Sequence, residues 1–194
     1  MKQALSLCLV LLALVTCVAQ ATQSGDFKRE QLSPKGRAAY ETLRSACIFG
    51  VGRLGYGGEI SKEELALYQL LDERQAVNAL RSLVTGGSYE GGLYALLGLS
   101  LANKAEFDRA VEIYNARNDP PEWQATGSFE CFRATGDTVT TMGGCIVLSE
   151  SRAKVVARIQ SGGYERLLTF KSMDVRLERD FFRSWNKAWQ LPAQ

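Results

Sequence analysis

Histidine is absent from all 194 positions of this chain. Ser-His-Asp and Cys-His nucleophilic mechanisms require an imidazole base, so both are excluded, as are His-liganded catalytic zinc sites. Any catalysis would run on carboxylates, lysine, tyrosine or a bare thiol. An excess of charge of one sign is also lacking, with 23 Lys and Arg against 21 Asp and Glu. Phosphate backbones are held by a concentrated basic face, so nucleic acid is not an expected partner. Basic residues gather modestly near the C-terminus, at Lys171, Arg176, Arg179, Arg183 and Lys187, but Asp174, Glu178 and Asp180 interleave with them. That pattern describes a solvated helix face. No metal-ligand cluster and no cofactor motif in its required context is present.

Long apolar runs are confined to the first residues. Lys2, the apolar stretch Ala4 to Val18 and the small-x-small Ala19-Gln20-Ala21 form the pattern of a secretory signal peptide. The stretch is too short for a membrane span. Cleavage after Ala21 removes 21 of 194 residues and leaves 173, with one basic residue lost and a net charge of +1 (22 minus 21). That length suits one domain with a well-buried core. Leu14-Val15-Thr16-Cys17 offers the alternative of a lipobox, with the chain anchored through an acylated Cys17. The expected location is the periplasm or the extracellular space, or the membrane surface if Cys17 is lipidated.

Cysteine is scarce. Cys47, Cys131 and Cys145 survive cleavage at Ala21, an odd number for an oxidising compartment. Cys131 and Cys145 are fourteen apart with Thr135-Gly136-Asp137 between them, and they form the expected bridge. The alternative is three buried thiols acting as small apolar groups.

After a polar leader, residues 22–33, a single helical domain is expected over residues 34–194. Ser33-Pro34 starts a helix reaching about Phe49. Gly50 to Gly58 contains G-x-G-x-x-G, but a helical pattern precedes it and further glycines follow, so it reads as a loop and not as a dinucleotide fingerprint. Ser61 and Glu64 make a capping box for the next helix. Asp72 is expected to cap a second helix, with Val77, Leu80, Leu83 and Val84 as its apolar stripe and Gly86-Gly87 as its stop. Ser88 starts a third, apolar nearly all round and so central to the core. A fourth runs from Glu106 to Arg117, ended by Asn118-Asp119-Pro120-Pro121.

The stretch from Leu70 to Leu80, followed by Gly92-Leu93-Tyr94-Ala95-Leu96-Leu97-Gly98-Leu99, resembles HEAT-type helical repeats over residues 60–117. The chain is also similar to exported bacterial proteins that place such helices before a Gly-Cys segment, here Met142-Gly143-Gly144-Cys145-Ile146. The resemblance implies stacked antiparallel helix pairs and a binding role, with no catalytic residues to carry over.

Beyond Trp123 the texture turns β-prone. Phe129–Arg133 and Thr138–Met142 read as the arms of a small hairpin. Cys145–Leu148 reads as a short buried strand or a strip laid on the helices. A helix from Ser151 to Gln160 follows, and the tail from Val175 to Trp189 places Leu177, Phe181, Phe182, Trp185 and Trp189 at mostly helical spacing. The expected fold is mostly α, with six or seven helices and a minor β element near residues 129–148.

Three patterns invite a catalytic reading. Ser151-Arg152-Ala153-Lys154 matches S-x-x-K, but the partner motifs S-D-N and K-T-G are missing, and helix capping accounts for Ser151. Glu63-Glu64, Asp72-Glu73 and Glu106 with Asp108 lie at helix starts, where acids favour the helix dipole. A small carboxylate hydrolase of envelope polymer is therefore the weaker reading. The stronger is an exported, non-catalytic envelope protein that binds another protein through its helical surface. Its candidate contact residues are Arg53 and Tyr56 in the glycine-rich loop and Trp185 and Trp189 in the tail.

Overall fold

The computed structural model describes residues 27–118 and 137–168. It is mostly helical, with two small antiparallel sheets. After a single turn of 3-10 helix at Arg29–Gln31 come α1 (Pro34–Arg44), β1 (Arg53–Leu54), β2 (Glu59–Ile60), α2 (Lys62–Leu71), α3 (Ala76–Gly86), α4 (Tyr89–Ala102) and α5 (Lys104–Asn115). β3 (Thr138–Gly143), β4 (Ile146–Ser151) and α6 (Arg152–Gln160) complete the described part.

The helix starts follow the local chemistry. Ser33, Ser61, Ser88 and Asn103 each accept a bond from the backbone N–H three residues on, satisfying an amide that the first helical turn leaves unpaired. Two expected boundaries shift. Asp72 is the C-cap of α2, and Gln75 takes the N-cap position of α3. Helix α1 stops at Arg44 and not near Phe49, because Phe49 is taken up in a parallel bridge to Thr141.

Helix α4 is buried from Tyr89 to Leu99 and packs against α1, α2, α3, α5, α6 and β3, the central place its all-round apolarity requires. Leu67, Leu80 and Phe107 of neighbouring helices share one core with its own Leu93, Leu96 and Leu97. Glycines in α4 permit the close approach. A Cβ at Gly92 would fall 2.6 Å from the Tyr114 ring, and one at Gly98 would fall 2.9 Å from Leu67 and Leu80.

The hairpin differs from expectation. The partner of β3 is β4, in the register Thr138↔Ser151 through Gly143↔Ile146, joined by Gly144-Cys145. Gly144 at φ +57 followed by a residue of negative φ is the signature of a type II′ turn, whose twist matches that of the strands. The arm expected at Phe129–Arg133 lies outside the described residues. Ile146–Leu148 is not a buried strand, since most of β4 is exposed.

The cysteines are corrected by the same turn. Cys145 sits at its tip as a free, exposed thiol, so the Cys131–Cys145 bridge is not formed. Cys47 is disulfide-bonded, and its partner lies outside the described residues. The bridge falls on Cys47 because a cysteine at the apex of a two-residue turn projects into solvent, while Cys47 follows α1 at the edge of the core.

Candidate functional site

The glycine-rich segment after α1 is a second hairpin, β1 with β2, and not a phosphate cradle. Its base is fixed from below. The Tyr94 hydroxyl, fully buried on α4, donates to the Gly50 carbonyl at 2.7 Å and accepts from the Gly50 amide at 3.0 Å. Burial raises the Tyr94 pKa well above the ordinary phenol value, so this hydroxyl keeps its proton. Glu64 is buried on α2 and accepts the Gly52 amide at 2.6 Å and the Tyr68 hydroxyl. The carboxylate that the capping-box pattern assigns to Ser61 thus serves the hairpin. Gly52 adopts φ +87, and a Cβ there would meet the Leu167 carbonyl oxygen at 2.9 Å, so glycine is required twice over.

The two hairpins are joined. Gly55 donates to the Gly144 carbonyl at 2.8 Å, linking their tips. Phe49 donates to Thr140 at 2.8 Å and accepts from Met142 at 2.9 Å, so the chain entering the first hairpin is laced to β3. Its ring packs edge-on against Tyr94, with centroids 4.8 Å apart, and against Tyr164 at 5.0 Å.

Above this anchored base, apolar side chains face water. Tyr56 is 100% exposed, and Ile146, Val147 and Leu148 are 62%, 41% and 50% exposed. Three consecutive exposed apolar residues place bare surface on both faces of β4, since successive strand residues point to opposite sides. The sequence-predicted residues Arg53 and Tyr56 lie on this surface, with Arg53 donating to the Gly58 carbonyl at 3.3 Å. Trp185 and Trp189 lie outside the described residues. Ile146, Val147 and Leu148 were missed because an apolar run next to Gly-Cys reads as core, and nothing local says that these side chains stay exposed.

Beneath β3 lies a layer of buried charge that sequence reasoning also missed. Glu90, at the start of α4, accepts the Thr140 amide at 2.9 Å. Burial pushes its pKa up to about 7, against the opposing pull of the Thr140 N–H and the Arg117 charge. The Arg117 and Arg152 guanidiniums stack on Tyr89, 4.7 Å and 4.6 Å from the ring centroid. Arg117 donates to the Val84 and Gly87 carbonyls, and Arg152 to those of Asn115 and Arg117, so each arginine finishes a helix C-terminus. The signal in the sequence was Glu90 itself, the one charged residue in an otherwise apolar helix.

Several of the carboxylates singled out in the sequence make bonds within the fold. Glu73 accepts the Ser33 amide at 3.1 Å and the Ser33 hydroxyl, and these bonds hold its pKa below the ordinary value. Glu106 pairs with Arg81 at 3.3 Å and Arg109 at 3.0 Å, and Asp108 with Lys104 at 2.7 Å. Burial raises Glu63, but its neighbour Glu64 is enclosed beneath Gly52, so the pair flanks no cleft. Ser151 occupies the N-cap position of α6 without a side-chain capping bond, and Lys154 lies 3.7 Å from the Glu150 carboxylate. A shallow cavity of about 200 Å³ between α3 and α5 is lined by Phe27, Arg81, Glu106, Arg109 and Ile113. Among the described residues there is no group of His, Cys, Asp and Glu able to hold a metal, and no helix long and apolar enough to cross a membrane.

Comparison of the chain with protein-family models, with curated proteins and with solved structures finds no match.

Proposed function

We propose that this protein is a non-catalytic binding module whose contact surface is formed by the tips of its two hairpins. One observation carries the reading: Ile146, Val147 and Leu148 stand exposed in succession on a strand paired along its length with β3. Exposed apolar surface costs solubility and stands idle in a free monomer, so its retention on a fixed support points to contact with a protein. In this reading the helices, stacked in HEAT fashion, act as scaffold and the hairpins as the business end. That moves the contact from the helical face expected above to the β elements. Export through residues 1–21 fits a chain that carries a disulfide at Cys47. The engagement of Glu73, Glu106 and Asp108 in structural bonds supports the non-catalytic half of the proposal.

The test is affinity capture from an envelope extract with the wild-type chain and the double variant Tyr56→Ser/Ile146→Ser. A specific partner should be retained by the wild type and lost, at least tenfold, by the variant, with no change in melting temperature. Retention by both would refute the assignment of the surface. Hydrolysis of peptidoglycan, peptide or ester substrates by the purified chain, abolished by one Glu→Gln change, would refute the binding reading itself.

A further inference from the structure

Resting on that reading of the hairpin face, we infer that β4 is where two copies of this chain join, edge to edge and antiparallel. The direction of the strand amides is fixed by bonds already described. Thr140 and Met142 turn their backbone groups to Phe49, so Val139, Thr141 and Gly143 bond the opposite way, to Glu150, Leu148 and Ile146. That leaves Val147 and Ser149 presenting their N–H and C=O groups outward, along an edge that no described strand covers. Open edges are normally blunted by lysine, proline, a bulge or an inward charge. From Ile146 to Ser149 this strand has none of these. Its first charge, Glu150, is neutralised within the chain by Arg158 at 3.0 Å and Lys154 at 3.7 Å.

The edge is complementary to itself. With Val147 opposite Val147 of the second copy, the outward amides of both meet in a hydrogen-bonded pair. Ile146 then faces Leu148 of the other copy twice over, and each Glu150 faces a glycine, so apolar meets apolar and no like charges oppose. A generic partner strand would have to supply this match, whereas a second copy has it by symmetry. The surface is small beside the twenty to thirty residues a side of a standard interface, so the dimer is expected to be reversible, with Kd on the order of 10 μM.

Sedimentation equilibrium over two decades of concentration reads the association. Leu148→Lys should weaken it at least tenfold without moving the melting temperature, because that side chain is half exposed in the monomer. Register is read by mild oxidation in a Cys145→Ser background. Val147→Cys should form a crosslinked dimer rapidly, since hydrogen-bonded antiparallel pairs bring Cα atoms to about 5.5 Å, within disulfide reach. Ser149→Cys, which faces residue 145 of the other copy, should not. A chain that stays monomeric to hundreds of micromolar, or that crosslinks equally at both positions, overturns the inference. If the monomeric chain still captures a partner that Tyr56→Ser/Ile146→Ser loses, the contact surface stands and only its occupant is wrong. If neither association is seen, both readings fall.

Discussion

Glu90 makes the stability of this protein fall as pH rises toward neutrality. Its carboxyl is enclosed under β3, where burial lifts its pKa from 4.5 to about 7. Below pH 4.5 the group is neutral in both the folded and the unfolded chain, and its environment carries no penalty. Between 4.5 and 7 the unfolded chain gives up the proton while the folded chain holds it, so each step in pH favours unfolding. Above 7 the folded state holds a buried charge and the loss is complete. At about 1.36 kcal/mol for each tenfold change in proton affinity, the difference amounts to about 3 kcal/mol. The sign is opposite to that of Glu73, whose lowered pKa adds stability above 4.5 and loses it as pH falls.

The Glu90→Gln variant isolates the term. A glutamine keeps an oxygen to accept the Thr140 amide and cannot ionise, so the local packing survives. Urea midpoints measured from pH 4 to 8 should show the wild type losing stability relative to the variant across pH 5 to 7.5, by about 3 kcal/mol in total. The curves should run parallel below pH 4.5. Parallel curves throughout would mean that Glu90 titrates as an exposed glutamate, and the buried-acid argument would be wrong.

Other outcomes follow from the same packing. Tyr94→Phe strips both bonds from the buried Gly50 backbone and should cost about 2–4 kcal/mol in chemical denaturation, with hydrogen exchange at Gly50 and Gly52 accelerated first. Gly92→Ala drives a methyl into the Tyr114 ring and should cost about 1–3 kcal/mol, whereas Gly86→Ala, with open space around it, should be tolerated. Thiol labelling without reduction should mark Cys145 in the folded protein and leave Cys47 unlabelled until a reductant is added; labelling of Cys47 in unreduced protein would contradict the assignment.

What the sequence revealed divides along the distance over which its signals act. Three helix starts were legible because a cap is a contract between residues three apart, which Ser33, Ser61 and Ser88 honour; the fourth, expected at Glu106, begins at Lys104 with Asn103 as its cap. The centrality of α4 was legible because no face of that helix offers anything to water. Boundaries failed where a distant partner intervened. Phe49 is claimed by β3, ninety residues on, and no local pattern in Ala46 to Phe49 announces it. The cysteine pairing failed for a related reason, because spacing alone does not show which cysteine a turn points into solvent.

The candidate site was half legible, and the missing half shows what burial patterns hide. Arg53 and Tyr56 were found because a glycine-rich loop advertises exposure. Ile146–Leu148 was read as core because hydrophobicity ordinarily marks the inside. A run of apolar residues reports only a preference for burial; the chain decides whether burial is met within the fold or outside it. Here Glu64, Tyr94 and Glu90 commit buried hydrogen bonds to holding the two hairpins in place. Fixing the two hairpins with three internal anchors and leaving the apolar edge of β4 bare makes little sense for decorative loops, since mobile tips would hide their side chains more cheaply. It makes sense for a surface held ready for a second strand, because an edge already rigid loses little further entropy on pairing. The buried acids that look like frustrated catalysts are, on this view, the reason the edge keeps its shape.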